Sequence, residues 1–337
     1  MSSMELNIHA GEPAAVVGDV GGTNARFAIA DLSAPLKPRL QDLRTFESKN
    51  FSSLNAAVAA YLARVAPTRT PPVAVIAVAG PVAHGEATLT NLTWHASDAA
   101  LRALGFAHAQ LINDFRALAV ATDILGAADL VQLGPYLPRP ANETLAIVGA
   151  GTGFGVSAVV REGRDRLIVA SEGGHTTFAP ESEREIEIFR ILAQRFGHVS
   201  VERIISGPGL VNLYEALCKI MGGTARASTP SQVLGEAEHM PGVARDAVTQ
   251  FCATFGAVAG DIALTFGARG GMLIAGSLAQ RMLFFLQQGD FRARFESKGR
   301  LSHLVRAIPT HLVSHDNAAL LGCARLAQQQ LYDGAPG

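Results

Sequence analysis

Two glycine-rich turns carry the first chemistry in the chain: Gly18-Asp19-Val20-Gly21-Gly22-Thr23-Asn24 and Gly149-Ala150-Gly151-Thr152-Gly153-Phe154-Gly155. Each follows an apolar run (14–17 and 145–148) and leads into another (25–30 and 156–160), so each reads as a hairpin. Backbone N–H groups and a Thr hydroxyl in such a turn can approach phosphate oxygens closely, and a carboxylate such as Asp19 can hold a hydrated Mg²⁺. Gly-Gly turns are common in hairpins that bind nothing; the recurrence of the pair favours phosphate. The second turn also fits G-x-G-x-x-A, with Glu172 about twenty residues on, the outline of a dinucleotide fingerprint. That fingerprint needs a helix after the turn, whereas 156–160 is β-rich, and the reading is rejected. No G-x-x-x-x-G-K-[ST] occurs, which excludes a P-loop.

Three further constellations are polar where their surroundings are apolar. Asn113-Asp114 ends an apolar strand and precedes a helix. Asp114 reads either as the N-cap of that helix or as a carboxylate at the carboxyl end of a strand, able to take a proton from a substrate hydroxyl. In Glu172-Gly173-Gly174-His175, two glycines between an acid and an imidazole permit a sharp turn that aims both side chains at one small polar ligand. A metal pair is the rival, but no third ligand stands nearby, and an isolated surface Glu and His is the plain alternative. His198 and Glu202 lie just before Ser206-Gly207-Pro208-Gly209, which enters a helix over 210–217.

The elements that must position these residues follow from periodicity and turn chemistry. Helices are expected over 55–65, 98–104, 115–124 and, from the Ser182/Glu185 capping box, 183 to near Gly197. Strands are expected over 73–79, 109–112, 167–170 and 272–275. Beyond Pro241 a long helix carries Phe251, Phe255, Val258, Ile262 and Phe266 at steps of four and three. Segment 221–240, polar and rich in Gly, Ser and Thr, reads as a surface excursion. The chain thus contains two halves, each opening with strand, Gly/Thr turn, strand, about 130 residues apart and far beyond the 20–50-residue period of a solenoid. Two related α/β domains account for that spacing.

Composition narrows the class. The 337 residues suffice for two cores at roughly 150 residues per domain. With 48% hydrophobic and 17% charged residues, general disorder is excluded. The balance of 28 basic against 29 acidic residues gives no electrostatic footprint for nucleic acid. Cys218, Cys252 and Cys323 are too dispersed for a zinc site or a disulfide framework and read as reduced thiols of a cytosolic protein. Residues 1–13 read as a flexible leader without the pattern of a signal peptide, and no membrane span is expected, because Pro81 and Asp261 interrupt the longest apolar runs.

The residues in this order resemble the bacterial glucokinase family. The likeness rests on 18–24, Leu89-Thr90-Asn91-Leu92-Thr93-Trp94, Ile112-Asn113-Asp114-Phe115, 149–155, 172–175, 206–209 and Ser314-His315-Asp316-Asn317, and spans about 16–321. It implies an actin-like, ribonuclease-H-like α/β fold with a cleft between a small domain (14–124 plus 316–332, returning by a helix over 317–330) and a large one (125–315). It also implies ATP-dependent phosphorylation of D-glucose at its 6-hydroxyl. By position Asp114 matches the catalytic base, while Asn113, Glu172, His175, Glu202 and Asn91 match sugar-hydroxyl ligands. Gly18, Asp19, Gly21, Gly22, Thr23 and Asn24 match the first phosphate turn, with Asp19 holding Mg²⁺ through water. Gly151, Thr152 and Gly153 match the second turn, and the segment ending at Gly276 resembles the adenosine side. Related kinases and repressors often carry a Cys-rich zinc signature after Glu-Gly-Gly-His. Here 178–191 holds no cysteine, so no zinc is expected, and the short leader leaves no space for a helix-turn-helix domain.

Neither glycine turn contains a lysine, so backbone amides and Mg²⁺ must neutralise the transferring phosphoryl group. The expected partners are D-glucose and ATP, with no nucleic acid or membrane, in a cytoplasmic homodimer. Two alternatives share the phosphate turns: an actin-like ATPase whose output is conformational, and a kinase for mannose or an N-acetylated hexose. The first has no need for Asn113-Asp114 together with Glu172, His175 and Glu202.

Overall fold

The computed structural model describes residues 13–66, 70–89, 92–163 and 165–333. They divide into two compact units, one built from the described residues up to Gly126 and from His315 onward, the other from Ala127–Ser314.

In the first unit β1 (Ala14–Val20), β2 (Asn24–Asp31) and β3 (Arg39–Glu47) form an antiparallel meander, and β4 (Val73–Val78) lies parallel to β1. A small antiparallel sheet of β5 (Val82–Ala83), β6 (Glu86–Leu89) and β7 (Trp94–Ser97) intervenes, and β8 (His108–Asn113) then joins β4 in parallel. The main sheet therefore runs β3-β2-β1-β4-β8. Every residue of β4 is buried, as a parallel strand covered on both faces requires. Ala74, Ile76 and Val78 pack with Leu54, Val58 and Tyr61 of α1 (Leu54–Val65) and Leu101 of α2 (Asp98–Arg102). Val73, Val75 and Ala77 pack on the other face with Ala117 of α3 (Asp114–Ala121) and with Leu320, Cys323, Ala324 and Ala327 of the last helix, Ala318–Asp333. Register then lines up the carboxyl ends of the parallel strands: Val20 beside Val78, and Val78 beside Asn113.

The second unit repeats the plan. After β9 (Leu130–Gln132), the meander of β10 (Leu145–Ala150), β11 (Phe154–Glu162) and β12 (Asp165–Ser171) is continued by parallel β13 (Gly271–Ala275) and β14 (Thr310–Val313). The order is β12-β11-β10-β13-β14, with β9 added at the edge. The helices between β12 and β13 are α4 (Glu183–Phe196), α5 (Gly207–Ile220), α6 (Pro230–His239) and α7 (Val243–Phe266). Four short ones follow β13: α8 (Ser277–Arg281), α9 (Leu283–Leu286), α10 (Asp290–Glu296) and α11 (Ser302–Arg306).

Two expectations need correction here. Segment 221–240 is not a bare surface excursion, because α6 buries Val233, Leu234 and Ala237 in the core it shares with α5 and α7. Its start carries a capping box, Thr229 with Gln232, and Pro230 in the first turn, a combination that outweighs the polar composition around it. Asp261 does not interrupt the apolar run either. Helix α7 continues through it, with Asp261 at the surface in an ion pair of 2.7 Å to Lys298. By length and composition α7 is apolar enough to cross a membrane, yet 72% of that stretch is buried inside the unit, as suits a core helix. Its Phe255 meets Phe154, Phe251 and Phe291 edge to face, with ring centroids 5.6, 6.1 and 5.6 Å away.

Candidate active site

In the first unit the turn after β1 is closed by its own backbone, Gly21 N–H donating to Asn24 O at 2.9 Å. Buried Ser48, at the end of β3, holds it from outside: its Oγ donates to Gly21 O (3.0 Å) and its N–H to Thr23 O (2.9 Å). Asp19, the next-to-last residue of β1, stands directly opposite Arg26 of β2. Burial pushes the Asp19 carboxyl above the usual carboxylate range, and the Arg26 guanidinium works against that rise. Arg26 also donates to Asp316 O at 3.0 Å, and Cys323 Sγ donates to Gly18 O at 3.5 Å, so the last helix and the segment before it are tied to this hairpin.

Asn113 and Asp114 stand at the carboxyl end of β8, and the structure settles which one caps α3. Asn113 is the N-cap, its Oδ1 accepting from Phe115 N–H (2.9 Å) and Arg116 N–H (3.1 Å). Its Nδ2 donates to Gly80 O at 3.1 Å. The N-cap reading of Asp114 is therefore replaced: Asp114 is the first helical residue, its Oδ1 accepting from Phe115 N–H at 3.0 Å. Asn113 keeps one Nδ2 hydrogen for a ligand.

In the second unit four sequence-distant segments meet at the second glycine turn, two of them at Phe154, a residue that the motifs did not single out. Phe154 follows the turn Gly151-Thr152-Gly153, in which Gly151 N–H donates to Gly153 O at 2.9 Å. The Phe154 N–H donates to Glu202 Oε2 at 2.9 Å. On its carbonyl side a Cβ placed on Gly174 would stand 2.0 Å from Phe154 O, so only glycine lets the Glu172–His175 turn seat there. Glu172 and His175 are exposed, with Oε2 and Nε2 3.9 Å apart, and His198 Nε2 bonds His175 O at 3.0 Å. Glu202 is anchored in turn, its carbonyl accepting from Ser206 Oγ at 2.8 Å. At the start of α5, Gly207 N–H donates to Gly151 O at 2.8 Å. Gly276, at φ +98°, follows β13 and would bring a Cβ within 2.3 Å of Ala150 O, which places the carboxyl end of β13 against the same turn.

Glu172, His175 and Glu202 are thus gathered around the second glycine turn, and Asp19, Asn113 and Asp114 lie at the carboxyl edge of the first sheet, where α/β proteins place ligands. Thr90 and Asn91 lie outside the described residues. Sequence reasoning missed Ser48 and Phe154. The Ser48 hydroxyl reaches a backbone carbonyl 27 positions away, and Phe154 acts through its amide, so neither left a local signal. Among the described residues no three His, Cys, Asp or Glu side chains gather as a metal cage.

Two sheets of the same strand order, each opening on a glycine turn between its first two strands, define the actin-like ATPase fold, here with polar groups suited to a sugar kinase. Residues 16–330 match the glucokinase family. A relative from Caulobacter vibrioides named glucokinase is 45% identical over 92% of this chain and 93% of its own. Among solved structures, a glucokinase from an Antarctic psychrotroph is 35% identical, covers 94% of this chain and 99% of its own, and has a TM-score of 0.82. A glucokinase of the ROK family from Streptomyces griseus, solved with glucose and AMPPNP, is 17% identical over 94% of this chain and 99% of its own; at a TM-score of 0.64 it shares the fold alone. The chain belongs to the glucokinase family.

Proposed function

We propose that the protein transfers the γ-phosphoryl group of ATP to the 6-hydroxyl of D-glucose. The observation that carries this reading is the convergence on Phe154: Glu202 on its amide and the Glu172–His175 turn on its carbonyl, beside a phosphate-type turn. A conformational ATPase needs the turn but has no use for a polar trio locked to it.

In this reading Glu172, His175 and Glu202 bind hydroxyls at the anomeric end of the sugar. Asn113 gives its remaining amide hydrogen to the other end, and Asn91 belongs to the sugar side. Asp114 orients the 6-hydroxyl and accepts its proton as the oxygen attacks in line. Gly21, Gly22, Thr23 and Asn24, with Gly18 behind them, and Gly151, Thr152 and Gly153 offer amides and hydroxyls to the ATP phosphates, with Gly276 toward the adenosine. Asp19 fits an outer ligand of Mg²⁺: a half-buried carboxylate with one opposing guanidinium favours a further cation carrying its own water. Bound there, Mg²⁺ supplies charge neutralisation at the phosphates. The cysteine-free stretch 178–191 supports a site without zinc. A cytoplasmic homodimer with no nucleic-acid or membrane partner completes the reading.

The test is stoichiometry. Incubation with ATP, Mg²⁺ and glucose should yield glucose 6-phosphate and ADP in equal amounts. ADP formed without sugar phosphate would make the protein an ATPase of another kind.

A further inference from the structure

Ser48 is a buried hydroxyl in an exposed stretch. Glu47 before it and Lys49 and Asn50 after it face solvent, while Ser48 itself is fully enclosed where β3 ends and a short 3-10 turn begins. Apolar periodicity does not explain that burial, and every polar group of the residue is in use. Its Oγ donates to Gly21 O at 3.0 Å, its N–H donates to Thr23 O at 2.9 Å, and its carbonyl accepts Phe51 N–H at 3.1 Å. Neighbouring rings hold the segment in place: Phe46 meets Phe51 edge to face with centroids 5.6 Å apart, and Phe27 of β2 lies 6.2 Å from Phe46. Ser48 is thus a fixed post against which the first glycine turn rests.

Two carbonyls held from one side decide where the amides point. A trans peptide is planar, with its C=O and N–H in opposite directions. Holding Gly21 O toward Ser48 therefore aims the Gly22 N–H away from it, and holding Thr23 O does the same for the Asn24 N–H. The Gly22 N–H has no partner among the described residues, whereas the Gly21 N–H is taken by Asn24 O at 2.9 Å. Gly22 is half-buried, and Thr23 and Asn24 are exposed, so a ligand can reach this side of the turn. An anion there is attracted by each amide and repelled by each carbonyl, so it binds best while both carbonyls stay turned away.

We propose that Ser48 is a positioning residue for ATP: by holding the carbonyls of Gly21 and Thr23 it aims the Gly22 and Asn24 amides at the phosphates of the nucleotide. Ser48 itself touches neither substrate. The proposal rests on the reading of 18–24 as a phosphate turn, and it adds the group, 27 positions from Gly21, that gives the turn its anion-binding side.

The experiment compares Ser48→Ala with Tyr61→Phe. The first deletes the Oγ that holds Gly21 O and leaves the backbone bonds of the residue in place. The second deletes a hydroxyl with the same kind of partner in the same unit, that of buried Tyr61, which donates to Asp42 O of β3 at 3.2 Å. It controls for lost stability, and both variants should melt below the parent. In Ser48→Ala, KM for ATP and the affinity for Mg²⁺-AMPPNP read by titration should weaken about three- to tenfold, the effect of losing one hydrogen bond. KM for glucose should stay within about twofold. In Tyr61→Phe both KM values should stay within about twofold of the parent. Ser48→Ala at the parent's KM for ATP would overturn the proposal, and so would an equal rise in Tyr61→Phe, which would leave Ser48 a stabilising residue only. The parent separates this outcome from failure of the phosphate-turn reading. Without ATP-dependent turnover in the parent, that reading falls and the role of Ser48 with it; an active parent beside an unaffected Ser48→Ala sinks the role of Ser48 alone.

Discussion

Glu202 offers the sharpest test of how the second unit works, because two substitutions separate its two duties. Its Oε2 accepts the Phe154 amide at 2.9 Å and lies where a Cβ on Gly153 would come within 2.5 Å, so the carboxylate braces the glycine turn as well as facing the proposed sugar. Glu202→Gln keeps an oxygen for the amide and loses the charge. A hydrogen bond to a charged group is worth about 1.5–3 kcal/mol against about 0.5–1.5 for a neutral one, so the difference, about 1–1.5 kcal/mol per bond, predicts glucose binding weaker by about five- to tenfold. The brace survives, and KM for ATP should stay within about twofold. Glu202→Ala removes both. Leaving the half-buried Phe154 N–H unpaired costs about 1–3 kcal/mol, and the turn it follows loses its support. Glucose binding should then fall by about ten- to a hundredfold, and KM for ATP should rise about fivefold or more. Steady-state kinetics with each substrate varied, alongside glucose calorimetry, reads both effects. If Glu202→Ala raised KM for glucose and left that for ATP at the parent value, the bracing role of Phe154 would be refuted.

Three further outcomes follow from the same geometry. Asp114→Asn keeps the shape but removes the proton acceptor, so kcat should fall at least about a hundredfold with glucose affinity little changed; near-normal turnover would leave Asp114 as a helix-start residue only. Gly174→Ala would push a methyl to 2.0 Å from Phe154 O. An overpacking cost of about 1–3 kcal/mol should lower Tm by several degrees and raise KM for glucose, and an unchanged melting curve would refute the packing argument. Burial raises the pKa of Asp19. The folded protein holds that proton more tightly than the unfolded chain, so the penalty for ionised Asp19 is absent below the usual carboxylate range and grows as pH rises through the folded value. Asp19→Asn should therefore be more stable than the parent at neutral pH, equally stable in acid, and nearly inactive; denaturant melts across pH check it.

The elements that place the site were legible where burial imposes a period. The all-buried β4, the phenylalanine steps of α7 and the Ser182/Glu185 box of α4 follow from sequence because core packing dictates each position. Exposed edge strands left weaker traces: most of β3 faces solvent, and its Arg39–Glu47 pattern carries little apolar alternation. Helix α6 was masked by polar composition although Thr229 and Gln232 carried its start signal. In the site, residues acting through side-chain chemistry stood out, Asp114, Glu172, His175 and Glu202 among them. What did not stand out acts through or upon backbone groups across long separations. Phe154 serves as a hub through its amide and carbonyl, and the Ser48 hydroxyl clasps the first turn. Hydrogen bonds of this kind depend on tertiary proximity, which no local pattern encodes.

The proposed assignment of this polar trio to glucose is read from a side-by-side comparison of sugars. Hydroxyl-directed hydrogen bonds reject analogues that leave buried polar groups unpaired, and a 2-acetamido group needs room beside Glu172 and His175. Glucose should therefore exceed N-acetylglucosamine and N-acetylmannosamine in kcat/KM by at least about a hundredfold, with ATP and Mg²⁺ held constant. Equal phosphorylation of an N-acetylated hexose would contradict the assignment of that trio to glucose.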